Sequence, residues 1–292
     1  MITAFGLDLA GYSSGQTGFA RADRKPNKSI LITVYRNNLF CRKLMGRNPL
    51  SDIANEERQV IAACLERASL VVDVPIDLQG LPNVSNPHFM WELTRRPVDF
   101  AFSALASLAD RIGAPVARFI HWMEPLNQKT NRLGEKLWET YPAASLELLR
   151  LKSTGYKGKS AIFKKNQWEQ SHPGHQALAD ILNKLDWYCC EDSCTLTDDE
   201  FDAALCALTG VADAEARLQG RLLEDEIYRR ISYKLKAPQR RHIRTNGPQG
   251  YVLLTLPTIE TVHLQVRQPK TLEATLREVT GKIDVREEGG KQ

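Results

Sequence analysis

Apolar and polar positions recur along this chain in an order that predicts an α/β protein. Residues 2–10 read as a buried strand that leaves the core at Gly6-Leu7-Asp8-Leu9-Ala10-Gly11, and 12–16 has the Gly and Ser content of a turn. Residues 17–22 and 29–36 predict two more strands joined by the polar stretch 23–28, which gives an antiparallel meander. Ser51 or Asp52 caps a helix whose Ile53, Val60, Ile61, Cys64 and Leu65 share one face. The apolar run 68–74 follows and stops at Pro75. A helix feeding such a run is the mark of a crossover onto a parallel strand, and it leaves Asp73 at a strand exit, as Asp8 is. Asp77, beyond Pro75, reads as a loop residue.

Residues 79–87 predict a loop, 89–95 a short helix, and Val98, Phe102, Leu105, Leu108 and Ile112 a longer one. Residues 116–120 and 136–140 predict strands, the second ending at Glu139 before Pro142, which opens a helix to about Leu151. Residues 172–185 are helical in pattern. In 197–209, Thr197 and Glu200 form a capping box, and Phe201, Ala204, Leu205 and Leu208 make an apolar stripe. Asp199 and Asp202 fall on a neighbouring face with Ala203 and Cys206, whose small side chains let another backbone come close. Acids in a first turn complement the helix dipole, which accounts for Asp198 and Glu200. Asp202 lies one turn further on, in a run that wants burial, and a buried carboxylate needs a partner such as a metal ion. After Gly210 comes a charged stretch, 217–236, then a strand at 251–256 stopped by Pro257. Strand, helix and strand follow at 261–266, 272–279 and 282–286, with a polar tail from Glu287. The division expected is a domain at 1–257, with an insertion at about 79–115, and a small α+β appendage at 258–292.

Composition narrows the class. With 292 residues, 42% hydrophobic and 25% charged, the chain can bury a large core. It has no apolar run of bilayer length and no basic-then-apolar leader, so a cytoplasmic protein is expected. A net charge of +4 leaves partners open, but basic residues cluster. Arg150, Lys152, Lys157, Lys159, Lys164 and Lys165 accompany Tyr156, Phe163 and Trp168, and a second cluster runs from Arg229 to Arg244 with Tyr228 and Tyr233. Such a mixture suits a groove that tracks phosphates and stacks bases. The six cysteines do not form the pattern of a disulfide framework, and Cys64 and Cys206 fall on apolar helix faces. His172, His175, Cys190 and Cys194 are an alternative set of zinc ligands, at a spacing that matches no standard finger.

Asp8, Asp73 and Glu139 at strand ends, with Asp199 and Asp202 on the late helix, converge if sheet and helix pack as patterned. Clustered carboxylates repel, divalent cations relieve the repulsion, and all-oxygen ligation favours magnesium or manganese. Three strands, a helix, a strand with a terminal acid, further helix and strand, and a late acidic helix make a ribonuclease H-like arrangement, a mixed sheet flanked by helices. Gly6 to Ala10, Val71-Val72-Asp73-Val74-Pro75, Arg96-Pro97-Val98-Asp99, Glu139-Thr140-Tyr141-Pro142, Asp199 through Ala207, and Gly250 to Leu254 ahead of Pro257 resemble, in order, the motifs of the DUF429 family, predicted nucleases of that fold. The resemblance covers about residues 2–257. The pair on the last helix also resembles RuvC-type Holliday-junction resolvases, whose metal carboxylates occupy the first strand, the fourth strand and this helix. The resemblance implies a nuclease with two Mg2+ or Mn2+ ions on Asp8, Asp73, Asp199 and Asp202, and Glu139 as an additional acid. Lys157, Lys159, Lys164 and Lys165 would contact nucleic-acid phosphates, with DNA and RNA equally open.

Two other functions fit parts of the pattern. The stretch from Asp8 to Thr17 is similar to the first phosphate loop of actin-like ATPases and sugar kinases, but no duplicate of it and no second Gly-rich phosphate loop follows. A nucleic-acid-binding module of the same fold without hydrolysis is the other.

Overall fold

The computed structural model describes residues 1–11, 15–41, 50–76, 110–130, 134–222, 229, 252–253 and 261–281. The expectations for 79–109, for Asp77, for the second basic cluster beyond Arg229, for most of strand 251–256 and for everything after 281 lie outside the described residues.

In chain order the elements are β1 (Thr3–Asp8), β2 (Gly18–Arg24), β3 (Ile30–Tyr35), a 3-10 turn (Leu39–Cys41), α1 (Leu50–Arg67) and β4 (Ser69–Val72). Then come α2 (Asp110–Thr130), β5 (Leu137–Thr140), α3 (Pro142–Leu148), β6 (Ser160–Lys164), β7 (Gln167–Gln170), α4 (Gln176–Lys184), β8 (Trp187–Cys189) and β9 (Cys194–Thr197). The chain closes with α5 (Asp198–Leu218), β10 (Val252–Leu253), β11 (Val262–Arg267) and α6 (Leu272–Thr280).

An eight-stranded mixed sheet forms the centre, in the order β10-β5-β4-β1-β2-β3-β11-β8. The meander β1–β2–β3 is antiparallel, while β4 pairs with β1, β5 with β4 and β11 with β3 in parallel. Side chains alternate across a strand, so each face gets its own core. Phe5, Leu7 and Leu9 of β1 and its exit, with Leu70 and Val72 of β4, pack among Val60, Ile61 and Cys64 of α1, Phe119 and Trp122 of α2 and Val279 of α6. Ala4 and the other small positions of β1 face α5, whose Phe201, Ala204 and Leu208 belong to the second core. The approach of α5 to the sheet is very close. A methyl placed on Gly6 would come inside 3.0 Å of the Ala203 carbonyl and the Ala207 amide, and one on Gly18 would strike the Asp199 carbonyl. The small residues noted on α5 thus meet small residues on the strands.

A second, three-stranded sheet, β7-β6-β9, packs on α4. Phe163 and Trp168 lie in that core with ring centroids 5.2 Å apart, and Trp168 Nε1 donates to the Trp187 carbonyl at 2.6 Å, so these rings are not a base-stacking platform. A disulfide joins Cys189 to Cys194 and ties β8 to β9. Among the described residues no helix is long and apolar enough to cross a membrane.

The structure departs from the sequence pattern in several places. Residues 116–120, expected as a strand, lie inside α2. Val116, Phe119, Trp122 and Met123 are buried at helical spacing, whereas Ile120, which a strand would bury with Val116, is 49% exposed. The late helix runs on through Gly210 to Leu218, because Gly210 lets it settle on Ala4 and Val71. α4 starts at Gln176, since Gly174 takes φ +84° and holds His172–His175 in a turn. The described part of the expected appendage, 261–281, joins the main body: β11 lies between β3 and β8, with Val262 and Leu264 buried, and α6 packs against α1.

Candidate metal centre

Register brings the strand acids together. The last paired residues of β1 and β4 are Leu7 and Val72, and the Asp73 amide donates to the Leu7 carbonyl at 2.8 Å, so Asp8 and Asp73 each stand one residue past the ladder. Both continue the side of the sheet that faces α5, in phase with Ala4 and Val71. From α5, Asp202 enters the same space in its second turn and is fully buried. Carboxylate oxygens of Asp8, Asp73 and Asp202 lie within 4.8 Å of one another.

The same periodicity separates Glu139. It pairs with Val72, whose side chain lies in the α1–α2 core, so Glu139 leaves β5 on the face opposite α5. There its Oε2 accepts the Ile76 amide at 3.2 Å. Asp199 borders the cluster, half-buried on α5, and is not among the acids whose oxygens come within that distance.

The loop between α3 and β6 completes the site, and the sequence pattern did not assign it there. Tyr156 is buried, and its hydroxyl donates to Asp202 Oδ1 at 3.0 Å. The Lys157 ammonium is bonded to Asp202 Oδ2 and lies 3.7 Å from Asp8 Oδ2. Asp198, expected only to complement the helix dipole, accepts the Gly158 amide at 2.7 Å, while its own amide donates to the Lys159 carbonyl. Asp198 and Asp202, one turn apart on α5, therefore hold Tyr156-Lys157-Gly158 against the helix. Glycines at 155 and 158, both with positive φ, permit the tight loop, and two glycines bracketing Tyr-Lys were the signal available in the sequence. The capping box of Thr197 and Glu200 is present, and Glu200 also binds Arg36 through both carboxylate oxygens.

Electrostatically the carboxylates strain one another. Burial, then the neighbouring Asp8 charge, pushes Asp73 well above the usual carboxylate range. Asp202 rises to about 7 through burial, against the lowering influence of Lys157, and Asp199 rises to about 7 through burial and the charges of Asp8 and Asp198. Asp8 is raised as well, by burial, with Lys157 opposing. For Lys157 burial acts to lower the pKa, but Asp8 and Asp202 outweigh it and hold the ammonium firmly charged.

The remaining expected residues sit elsewhere. Lys164 and Lys165 are exposed where β6 turns into β7, and Lys159 follows the clamped loop. The alternative set of zinc ligands does not gather: Cys194 is bonded to Cys189, and the His175 Nδ1 faces Ser160 and Ser171. No protein-family model, curated protein or solved structure matches this chain.

Proposed function

We propose that this protein is a metal-dependent phosphodiesterase that hydrolyses nucleic acid, built on a ribonuclease H-like fold. The observation that carries the reading is the convergence of Asp8, Asp73 and Asp202, from two parallel strands and a late helix, to within 4.8 Å. The meander followed by helix-linked parallel strands, with an acidic helix laid across, supports the fold.

The donor set fits hard divalent cations, since it is all oxygen and its carboxylates are raised by burial and mutual repulsion, which a cation relieves. Asp8, Asp73 and Asp202, with Asp199 beside them, would hold the Mg2+ or Mn2+ ions. Such ions supply an activated water and charge neutralisation at the scissile phosphate and leaving oxygen. Tyr156 fixes the orientation of Asp202, and Asp198 fixes the loop that carries Tyr156. Lys159, Lys164 and Lys165 would hold flanking phosphates. Glu139, on the other face, supports the strand exit by accepting the Ile76 amide, and its charge adds to that of the acids around Asp73.

The test incubates the protein with labelled single-stranded, duplex and branched DNA and RNA, in manganese, magnesium or EDTA, beside Asp8→Asn. Cleavage is expected that disappears with EDTA and with the substitution. An Asp8→Asn protein that cleaves like the unaltered one would overturn the assignment.

A further inference from the structure

Lys157 places a full positive charge inside the acid cluster, where an entering metal must meet it. We infer that Lys157 is a tethered counter-ion: its ammonium supplies the cluster's positive charge when no metal is bound, competes with divalent cations for Asp8 and Asp202, and is driven out when they bind. This rests on the metal-dependent reading above.

Three observations lead there. The first is position. The ammonium is bonded to Asp202 and 3.7 Å from Asp8, two of the three acids whose oxygens face one another. A divalent cation on those carboxylates would have a like charge close beside it, and their repulsion sets the two in competition. The second is the tether. The backbone on either side of Lys157 is fixed by the Tyr156 hydroxyl on Asp202, by the Gly158 amide on Asp198, and by the Asp198 amide on the Lys159 carbonyl. Displacement of the ammonium therefore leaves the loop in place, and the charge stays beside the site at high local concentration. The third is freedom to move. Asp202 is fully buried, but the Lys157 side chain is 54% exposed, so the arm that carries the ammonium borders solvent and can swing outward. A lysine is a compact, hydrated charge on four flexible carbons, suited to such an exchange, where an arginine's planar fork would hold both carboxylates.

The direction of release matters. The exposed side of the cluster is the side from which a phosphodiester must approach, and an ammonium displaced toward it meets the substrate's anionic oxygens. Metal binding and phosphate binding then reinforce one another, because each favours the outward lysine. Without substrate the inward lysine holds the metal affinity down.

The experiment measures Mn2+ binding, by the electron paramagnetic resonance signal of free Mn2+, in the unaltered protein, Lys157→Met and Lys184→Met. Lys184, exposed at the end of α4, makes the same change in net charge away from the cluster. Lys157→Met is expected to bind Mn2+ at least tenfold more tightly, with Lys184→Met unchanged. Equal affinity in all three overturns the counter-ion and leaves the metal site standing. No binding by any of them overturns both. The unaltered protein gives a second reading that needs no substitution: reductive methylation followed by peptide mass spectrometry. Labelling of Lys157 relative to Lys164 is expected to rise when Mn2+ is added, and labelling of Lys157 that saturating bound Mn2+ leaves unchanged overturns the displacement.

Discussion

The phenolic hydroxyl of Tyr156 donates to Asp202 Oδ1 at 3.0 Å, and both groups are buried. A hydrogen bond to a buried charge stabilises more than a neutral one, and its loss leaves the carboxylate short of a partner. Tyr156→Phe keeps the ring that packs edge-on to Phe201. It should cost about 1.5–3 kcal/mol in urea unfolding without metal, and the cost should shrink in an Asp202→Asn background. Equal costs in both backgrounds would show that the two groups do not act together.

Gly6 is expected to tolerate no side chain. Alanine there meets backbone atoms of Ala203 and Ala207, which cannot move aside without shifting α5. Gly6→Ala should destabilise by about 3 kcal/mol or more, at the upper end of overpacking costs. Gly113, inside α2, is the contrast, because a methyl placed on it would meet no atom within 4 Å. Gly113→Ala should gain about 0.5–1 kcal/mol through helix propensity. Thermal melts of the two variants, run side by side, check both signs.

Beneath the strand exits lies a buried ion pair. Arg118 Nη2 and Glu57 Oε1 are 2.6 Å apart, and Trp122 Nε1 donates to the other oxygen of Glu57. Arg118 also donates to the Ala10 carbonyl and the Thr17 hydroxyl, which close the loop that follows Asp8. Removing one member of a buried pair leaves the other charge desolvated. Glu57→Ala should therefore cost about 3–5 kcal/mol in chemical denaturation, and it should weaken Mn2+ binding by loosening the support of Asp8.

Stability without metal should fall as pH rises. Asp199 and Asp202 titrate near 7 in the folded protein, raised first by burial, against about 4 in an unfolded chain. The folded state thus holds protons that the unfolded state has released. Its advantage is complete below about pH 4 and is lost as pH climbs through about 7. In EDTA the melting temperature should drop between pH 5 and pH 8, with a smaller drop in Asp202→Asn. Mn2+ should raise the melting temperature more at pH 8 than at pH 5.

Much of the site was legible because it depends on short-range rules. A period of two places Asp8 and Asp73, and a capping box starts α5 so that Asp202 arrives in its second turn. The face that Glu139 takes was not legible: an acid near a strand end says nothing of its face until register is known, and pairing with Val72 decides it, while its charge still reaches Asp73. Lys157 read as a phosphate contact, and its pairing with the acids was not legible, because its partners are 45 residues away on α5 for Asp202 and on β1 for Asp8. The helical nature of 116–120 was hidden by a five-residue window whose apolar content suits either element, and only Trp122 and Met123 break the tie. The place of β11 was likewise beyond local pattern, since a strand's composition does not name its neighbours.

The position of β11 also sets the order in which the protein can assemble. Gln265 Nε2 donates to the Thr33 hydroxyl at a sequence separation of 232, on a parallel ladder that no local turn can nucleate. Closing so long a loop is entropically slow, whereas β1, β2 and β3 pair through short turns. During synthesis the amino-terminal meander is therefore complete long before its final neighbour leaves the ribosome. Until then β3 presents an open edge to any other strand nearby, so a chain cut short before residue 262 would carry that aggregation-prone edge permanently.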